Sequence, residues 1–268
     1  TAELRAANEQ LQSLDRLKDD FMSSVTHELR TPLTSIRALA ELMADDPDMD
    51  TAQRQQFLGI VVSETQRLSR LVNQVQDLAK IESGHAEWHH GDVDIVALVR
   101  QAAQSMAEML RERGTELVLD LPDAAQPLPT LRADADRLTQ VLLNLLGNAA
   151  KFVPRPGGRI VLRVRADADG VAVRVHDNGP GIPPEQRARI FDKFHQGGEL
   201  ARRTGGTGLG LPISRQIVEH HGGRIALLDG PQATGGHDGG QGACFEFRLP
   251  WQSDAAGAAA PHDRGGQA

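Results

Sequence analysis

The sequence predicts a fold in two parts, α plus α/β: an antiparallel helical hairpin followed by a mixed α/β domain. Two observations carry this. Phe57, Val61, Glu64, Leu68, Leu71, Val75 and Leu78 are spaced alternately by four and three, and all but one are apolar. That is the seam of a long helix packed on another. From Asp92 onward the pattern changes, and short alternating runs such as Arg159 to Ala166 and Val171 to His176 interleave with helical stretches. Alternation with a period of two marks strands with one face buried.

Composition sets the bounds. The 268 residues can form two modest domains, and 24% charged with 40% hydrophobic residues is ordinary for a globular protein. A net charge of −7 with no basic excess argues against nucleic acid as a partner. The single cysteine, Cys244, rules out an internal disulfide and fits a reducing, cytoplasmic setting. No apolar run approaches the length of a membrane span and no signal peptide is visible, so no membrane contact is expected of this stretch. The chain opens inside a helical pattern without an initiator methionine, which suggests a fragment; the anchoring of a longer parent is open.

The elements follow in order. Residues 1–20 are polar and rich in helix formers, and Leu4, Ala7, Leu11, Leu14, Lys18 and Phe21 read as a coiled-coil lead-in. In residues 21–84 a first helix carries a stripe of Phe21, Val25, Leu29, Leu33, Ile36, Ala40 and Met43, with a bend expected at Pro32. An acidic loop at 45–50 leads to a second helix over 51–82, closed by Ser83-Gly84. One hairpin has too little core to stand alone, so two copies are expected to pair as a four-helix bundle, a homodimer. Residues 85–91 read as a linker; His85, His89 and His90 cluster around Trp88 without a metal-ligand spacing, so a solvated segment is expected. In residues 92–250, Asp94 opens a helix running to about Arg113, Glu116 to Leu121 is a strand, and Ala133 to Phe152 is a helix. The hairpin strands already named, a helix over Gly208 to His221 and strands at Arg224 to Leu228 and Cys244 to Leu249 complete this domain. Residues 229–242 are glycine-rich and expected to be mobile, and residues 251–268 to be a disordered tail.

Phe21 to Leu33 carries the first candidate chemistry. His27 lies off the apolar stripe, beside Glu28 and four residues before Thr31. A carboxylate that takes one ring N–H fixes the tautomer and frees the other nitrogen as a nucleophile. Alone, an H-E pair is more simply a surface histidine on an amphipathic helix.

Four pieces of the second domain could hold a nucleotide. Asn144 and Asn148 are one helical turn apart, with Lys151 on the same face and Phe152 beyond; two amide oxygens and a cation suit a Mg²⁺–phosphate unit. Asp177-Asn178-Gly179-Pro180-Gly181-Ile182 follows a strand, so Asp177 can accept the exocyclic amine of adenine while the glycines allow close approach. Ile190-Phe191-Asp192-Lys193-Phe194 offers two aromatic anchors. Gly205-Gly206-Thr207-Gly208-Leu209-Gly210 opens a helix whose free N–H groups can bind phosphate. It matches neither a P-loop nor G-x-G-x-x-G. Singly, these read as a polar helix face, a turn, core packing and a loop.

Their order is more specific. FMSSVTHELRTPL resembles the H box of sensor histidine kinases without departure, and the four later pieces resemble the N, first glycine, F and second glycine boxes of the ATPase domain shared with DNA gyrase, mismatch-repair and heat-shock ATPases. The resemblance covers about residues 15 to 250. It implies an α/β sandwich ATP-binding domain of the Bergerat type, with ATP and Mg²⁺ as cofactors. It makes His27 the phospho-acceptor, Glu28 its general base and Thr31 the residue that orients water in dephosphorylating a partner. Asn148 then chelates Mg²⁺ with Asn144 beside it, Lys151 meets phosphate, Phe152 flanks the nucleoside and Asp177 reads adenine. Gly179, Gly181 and Ile182 border the base. Gly206, Thr207, Gly208, Leu209 and Gly210 close over the phosphates, Lys193 belongs to the same site, and Arg202 or Arg203 of the lid over 195–207 reaches the γ-phosphate. The implied partner is the receiver domain of a response regulator, which takes the phosphoryl group on an aspartate. Gly147, where a larger polar residue is common, and the glycine-rich insertion at 229–242 depart from the pattern. Two other readings stand against it. A gyrase-type hydrolase would need a glutamate base where Asn144 stands, and a non-catalytic scaffold would be expected to show degenerate boxes.

Overall fold

The computed structural model describes residues 2–123, 125, 127–195, 206–228 and 242–251, with side chains at position 19 and from 21 onward. The chain divides into two compact units: one of residues 1–86 with 192–210, the other of residues 87–191 with 211–268.

The first unit is built on two helices, α1 (Ala2–Asp45) and α2 (Thr51–Glu82), packed on one another. The helical backbone of α1 continues from Ala2 through the lead-in and across Pro32. The Asp50 carboxylate caps α2 by accepting the N–H groups of Ala52 and Gln53. Ser83 closes it, followed by Gly84 in the left-handed region at φ 71°. The α2 seam is as expected: Phe57, Val61, Glu64, Leu68, Leu71, Val75 and Leu78 are all buried or half-buried.

The α1 seam differs from expectation after Leu29. Leu33 is 57% exposed and Ala40 is exposed, whereas Pro32 is buried and Leu39 half-buried. The seam therefore runs Val25, Leu29, Pro32, Ile36, Leu39 and Met43, keeping the four-three alternation of α2. Choosing the more hydrophobic Leu33 over Pro32 breaks that alternation.

The second unit centres on a five-stranded sheet of order β2-β4-β5-β7-β6, from β2 (Thr115–Asp120), β4 (Gly158–Ala166), β5 (Gly170–Asp177), β6 (Arg224–Leu228) and β7 (Cys244–Pro250). Only the β2–β4 pair is parallel. Helices α3 (Ile95–Glu112) and α4 (Ala135–Phe152) pack together and against the sheet; α5 (Pro184–Arg187) and α6 (Gly210–His220) follow. The inner face stacks apolar rows set by register: Leu162, Val175 and Phe245 in one, Val164, Val173 and Phe247 in the next, all buried.

The other face carries charge. Register places Arg163 directly opposite Arg174, a like-charge pair that would be unfavourable alone. Each is neutralised on its far side, Arg163 by Asp120 at 2.6 Å and Arg174 by Glu246. Burial pushes the Asp120 carboxyl up, but hydrogen bonds and charge from Arg165 and Arg163 outweigh it and hold it below the usual carboxylate range.

Two short strands were not expected. β1 (His90–Val93) and β3 (Leu131–Asp134) pair antiparallel, so residues expected as linker and as the start of α4 form a separate ribbon. At four residues each they carry no alternation to read, and their pairing is a tertiary effect. Nor are Trp88 and His90, in the segment expected to be solvated, left to solvent. The Trp88 ring stacks on His220 at 3.6 Å between centroids and 8° between planes, with Arg137 on it at 5.8 Å. His221 lies edge-on to Trp88, and His90 packs against both His220 and His221. His85 and His89 are exposed. The glycine-rich insertion over 229–241 and the tail over 252–268 lie outside the described residues.

His221 is held neutral by the Asp134 N–H, which needs an unprotonated ring nitrogen. Its Nδ1–H donates to the Ile217 carbonyl at 2.7 Å, and Nε2 accepts the Asp134 N–H at 3.0 Å. Protonation would place two donors face to face. Burial pushes both His220 and His221 below the usual histidine value, helped by His221 and His90 for the first and by His90 for the second, and opposed by Asp134; the Ile217 bond also opposes it for His221.

Two outcomes follow. Glu246→Ala, which removes the buried carboxylate paired with the half-buried Arg174, should lower the unfolding free energy by ~2 kcal/mol in urea titration, whereas Glu116→Ala at the exposed Arg159 pair should cost less than about 1 kcal/mol. With their folded pKa values depressed, the histidines take up protons more readily unfolded than folded. Stability is therefore fully present above the ordinary histidine value near 6.5 and is lost as pH falls through and below it. Melts at pH 7.5 and 5.5 should show this loss, and it should be smaller in His220→Gln.

Candidate functional site

In the first unit, the seam of α1 leaves His27 outward: its side chain is 76% exposed. Glu28 is half-buried, with Oε1 4.0 Å from His27 Nδ1. That distance is long for a hydrogen bond but leaves Nε2 as the ring's outer nitrogen. The other Glu28 oxygen meets Arg67 of α2 at 3.5 Å, and Arg67 also meets Glu64 at 3.8 Å. The carboxylate beside His27 is thus steadied from the neighbouring helix. Arg67 gave no signal in sequence, because nothing in the spacing of a lone arginine ties it to a residue on another helix. Thr31 is exposed, and its hydroxyl donates to the His27 carbonyl at 3.2 Å.

Residues 192–210 also belong to this unit. Lys193 Nζ lies 2.6 Å from Glu82 and 5.0 Å from the Phe21 ring centroid, while Phe194 packs against Phe21 at 5.4 Å. Thr207 Oγ1 donates to Gln74 at 2.6 Å and accepts the Leu209 N–H at 3.3 Å. A Cβ on Gly208 would fall 2.7 Å from the Phe194 backbone. Gly206 and Gly210 are described, whereas Arg202 and Arg203 lie outside the described residues.

In the second unit, α4 supplies Asn144, Asn148, Lys151 and Phe152, all half-buried. Asn144 Nδ2 donates to Ser214 Oγ of α6 at 2.8 Å. Among the described residues, neither the Asn144 oxygen nor the Asn148 amide has a hydrogen-bond partner. The end of β5 supplies Asp177, which is 4% exposed. Its Oδ1 accepts the N–H groups of Gly179 at 2.8 Å and Ala243 at 3.3 Å. Its Oδ2 has no hydrogen-bond partner among the described residues. Burial pushes the Asp177 carboxyl above the usual range, against the pull of those two N–H groups.

The glycines beside Asp177 answer first to the chain itself. A Cβ on Gly179 would sit 2.7 Å from Asp177 Oδ1 and 2.9 Å from the Phe152 carbonyl. Gly181, at φ 74°, is left-handed, and a Cβ there would meet the Gly242 carbonyl at 3.1 Å. Gly179 thus lets the end of β5 close onto the end of α4, bringing Asp177 near Phe152. Ile182 is half-buried, and its carbonyl accepts Arg187 at 2.8 Å.

A model described as the His Kinase A (phospho-acceptor) domain matches residues 17–84, and one described as the histidine kinase-, DNA gyrase B- and HSP90-like ATPase matches residues 133–253. The chain belongs to the sensor histidine kinases. It is 37% identical over 243 residues to the sensor histidine kinase MtrB of Mycobacterium tuberculosis, covering 90% of this chain and 40% of that one. Among solved structures it is similar to full-length ShkA in complex with AMPPNP, with TM-score 0.60 and 34% identity over 91% of this chain and 47% of that one. It is also similar to histidine kinase ThkA in complex with the response regulator protein TrrA, with TM-score 0.69 and 25% identity over 94% of this chain and 68% of that one. The chain spans less than half the length of the curated relatives it matches. No described helix is long and apolar enough to cross a membrane.

Proposed function

We propose that this chain is the catalytic core of a sensor histidine kinase that phosphorylates His27 from ATP and passes the phosphoryl group to an aspartate of a response regulator. The observation that carries the proposal is the exposed His27, its Nδ1 side turned to a carboxylate held from α2, within the segment that matches the phospho-acceptor family. The Nε2 lone pair attacks the γ-phosphorus, the bond to the bridging oxygen breaks and ADP leaves. Glu28 accepts the Nδ1 proton as the ring acquires charge.

The second unit fits ATP in its donor set. The unpartnered Asp177 Oδ2 is an acceptor for the adenine amine, with Gly179, Gly181 and Ile182 alongside, Phe152 flanks the nucleoside and Lys151 serves the phosphates. Asn148 and Asn144 offer two neutral, hard oxygens to Mg²⁺, an ion that keeps several waters and takes substrate phosphate as its other ligands. When bound, the ion neutralises phosphate charge. We assign Gly206, Thr207, Gly208, Leu209, Gly210, Lys193 and the lid arginines Arg202 and Arg203 to the same nucleotide. The relative solved with AMPPNP supports this reading.

A homodimer is supported by the apolar residues that a single hairpin leaves outside its seam. Met22, Leu33, Leu42, Leu58 and Val62 are each at least 47% exposed. Pairing two copies into a four-helix bundle would cover them. The relative solved with a response regulator supports the choice of partner. We place this core in the cytoplasm, where ATP and response regulators are found.

With γ-labelled ATP and Mg²⁺, the wild-type chain should acquire acid-labile, alkali-stable label, and His27→Gln none. Phosphate release without labelling, unchanged in the variant, would instead identify a hydrolase. Thr31→Ala should keep labelling of His27 within about threefold while slowing dephosphorylation of a phosphorylated regulator by at least ~100-fold, within the range a positioned catalytic group supplies. An unchanged dephosphorylation rate would remove Thr31 from that role.

A further inference from the structure

The buried face of α6 is apolar at Pro212, Ile213, Ile217 and Val218, and Ser214 interrupts it. Ser214 is 2% exposed. A hydroxyl taken from water there is unfavourable without a hydrogen bond, and for packing alone alanine would serve. Its bond is to Asn144: Oγ accepts the Nδ2–H at 2.8 Å. An amide with its nitrogen turned to one neighbour turns its oxygen away from that neighbour. The Asn144 oxygen has no partner among the described residues, and Asn148 stands one turn along the same face of α4.

We infer that Ser214 is a positioning residue for the nucleotide's metal: its Oγ accepts the Asn144 amide N–H in the one orientation that offers the amide oxygen to the cation. The inference rests on the reading of Asn144 and Asn148 as Mg²⁺ ligands. Without the hydroxyl, the amide nitrogen has no partner in that orientation, and the amide is free to turn its NH₂ end toward the cation. An NH₂ group repels a cation, so half the ligand pair would be lost in that rotamer. Groups that orient metal ligands commonly affect metal affinity by tenfold or more.

The test is calorimetric titration of the whole chain with ADP, once with Mg²⁺ and once with EDTA. Wild type should bind ADP more tightly with Mg²⁺. Ser214→Ala should match wild type in EDTA within about twofold and lose roughly tenfold of the Mg²⁺ enhancement. Ser214→Thr and Ser214→Val guard against a packing artefact, since they share a shape: threonine should keep the enhancement and valine lose it. An unchanged enhancement in Ser214→Ala, an equal loss with and without Mg²⁺, or equal behaviour of threonine and valine would overturn the assignment to Ser214. Wild-type ADP binding insensitive to Mg²⁺ would overturn the metal reading itself, and the inference with it.

Discussion

The second unit depends on the Asp134 carboxylate. Its Oδ1 accepts the Arg137 N–H and so caps α4; its Oδ2 accepts the His89 N–H and so fastens the segment that enters the unit. Its own N–H is bonded to His221, at the end of α6. One residue thereby joins β3 to α4, α6 and the chain ahead of β1. Every proposed ligand on α4 is placed relative to this cap, because a helix fixed at its first turn fixes the rotation of the turns that follow. The stacking of Trp88 on His220 covers the same junction from outside.

The hairpin solves a different problem. It must hold one histidine in water while holding the histidine's neighbour still. The four-three seam of α1 does the first, since Val25 and Leu29 face α2 and His27 between them cannot. Arg67 does the second, by engaging Glu28 and Glu64 together. A carboxylate with one long ion pair keeps its second oxygen turned to the imidazole without being tied to it. That suits the role proposed for Glu28, a base that would take a proton only while the ring acquires charge.

Much of this was legible in the sequence, for identifiable reasons. The α2 seam was readable because its spacing is unbroken, and the β4–β5 hairpin because it alternates around Asp167-Ala-Asp-Gly170. The H box and the nucleotide boxes were readable because their residues are local in the chain. What was missed is non-local. Arg67 finds Glu28 across two helices, Ser214 finds Asn144 across seventy positions, and β1 pairs with β3 across a helix and a strand. The Leu33 error came from weighing hydrophobicity above period. The packing of Trp88 and His90 is not legible in the sequence because their partners, His220 and His221, lie far along the chain, whereas His85 and His89 are exposed as expected.

Two buried aspartates show how such a structure separates architecture from chemistry. Asp134 and Asp177 are 3% and 4% exposed, and burial pushes both carboxyls up. At Asp134 the N–H groups of His89, Arg137 and Asp136 outweigh burial, and the group is held below the usual range. At Asp177 two N–H groups converge on one oxygen and burial prevails. Asp177 lies deeper in the domain than Asp134, and its hydrogen bonds are also less complete. A carboxylate saturated by its own chain has nothing left to offer and belongs to the scaffold. One buried with an oxygen unpartnered is in an environment that a ligand donor would improve, and such departures from local optimum are characteristic of functional sites. The exocyclic amine of adenine is a donor of that kind. The same criterion applies to α4, where the Asn144 nitrogen is bonded within the protein and its oxygen is not.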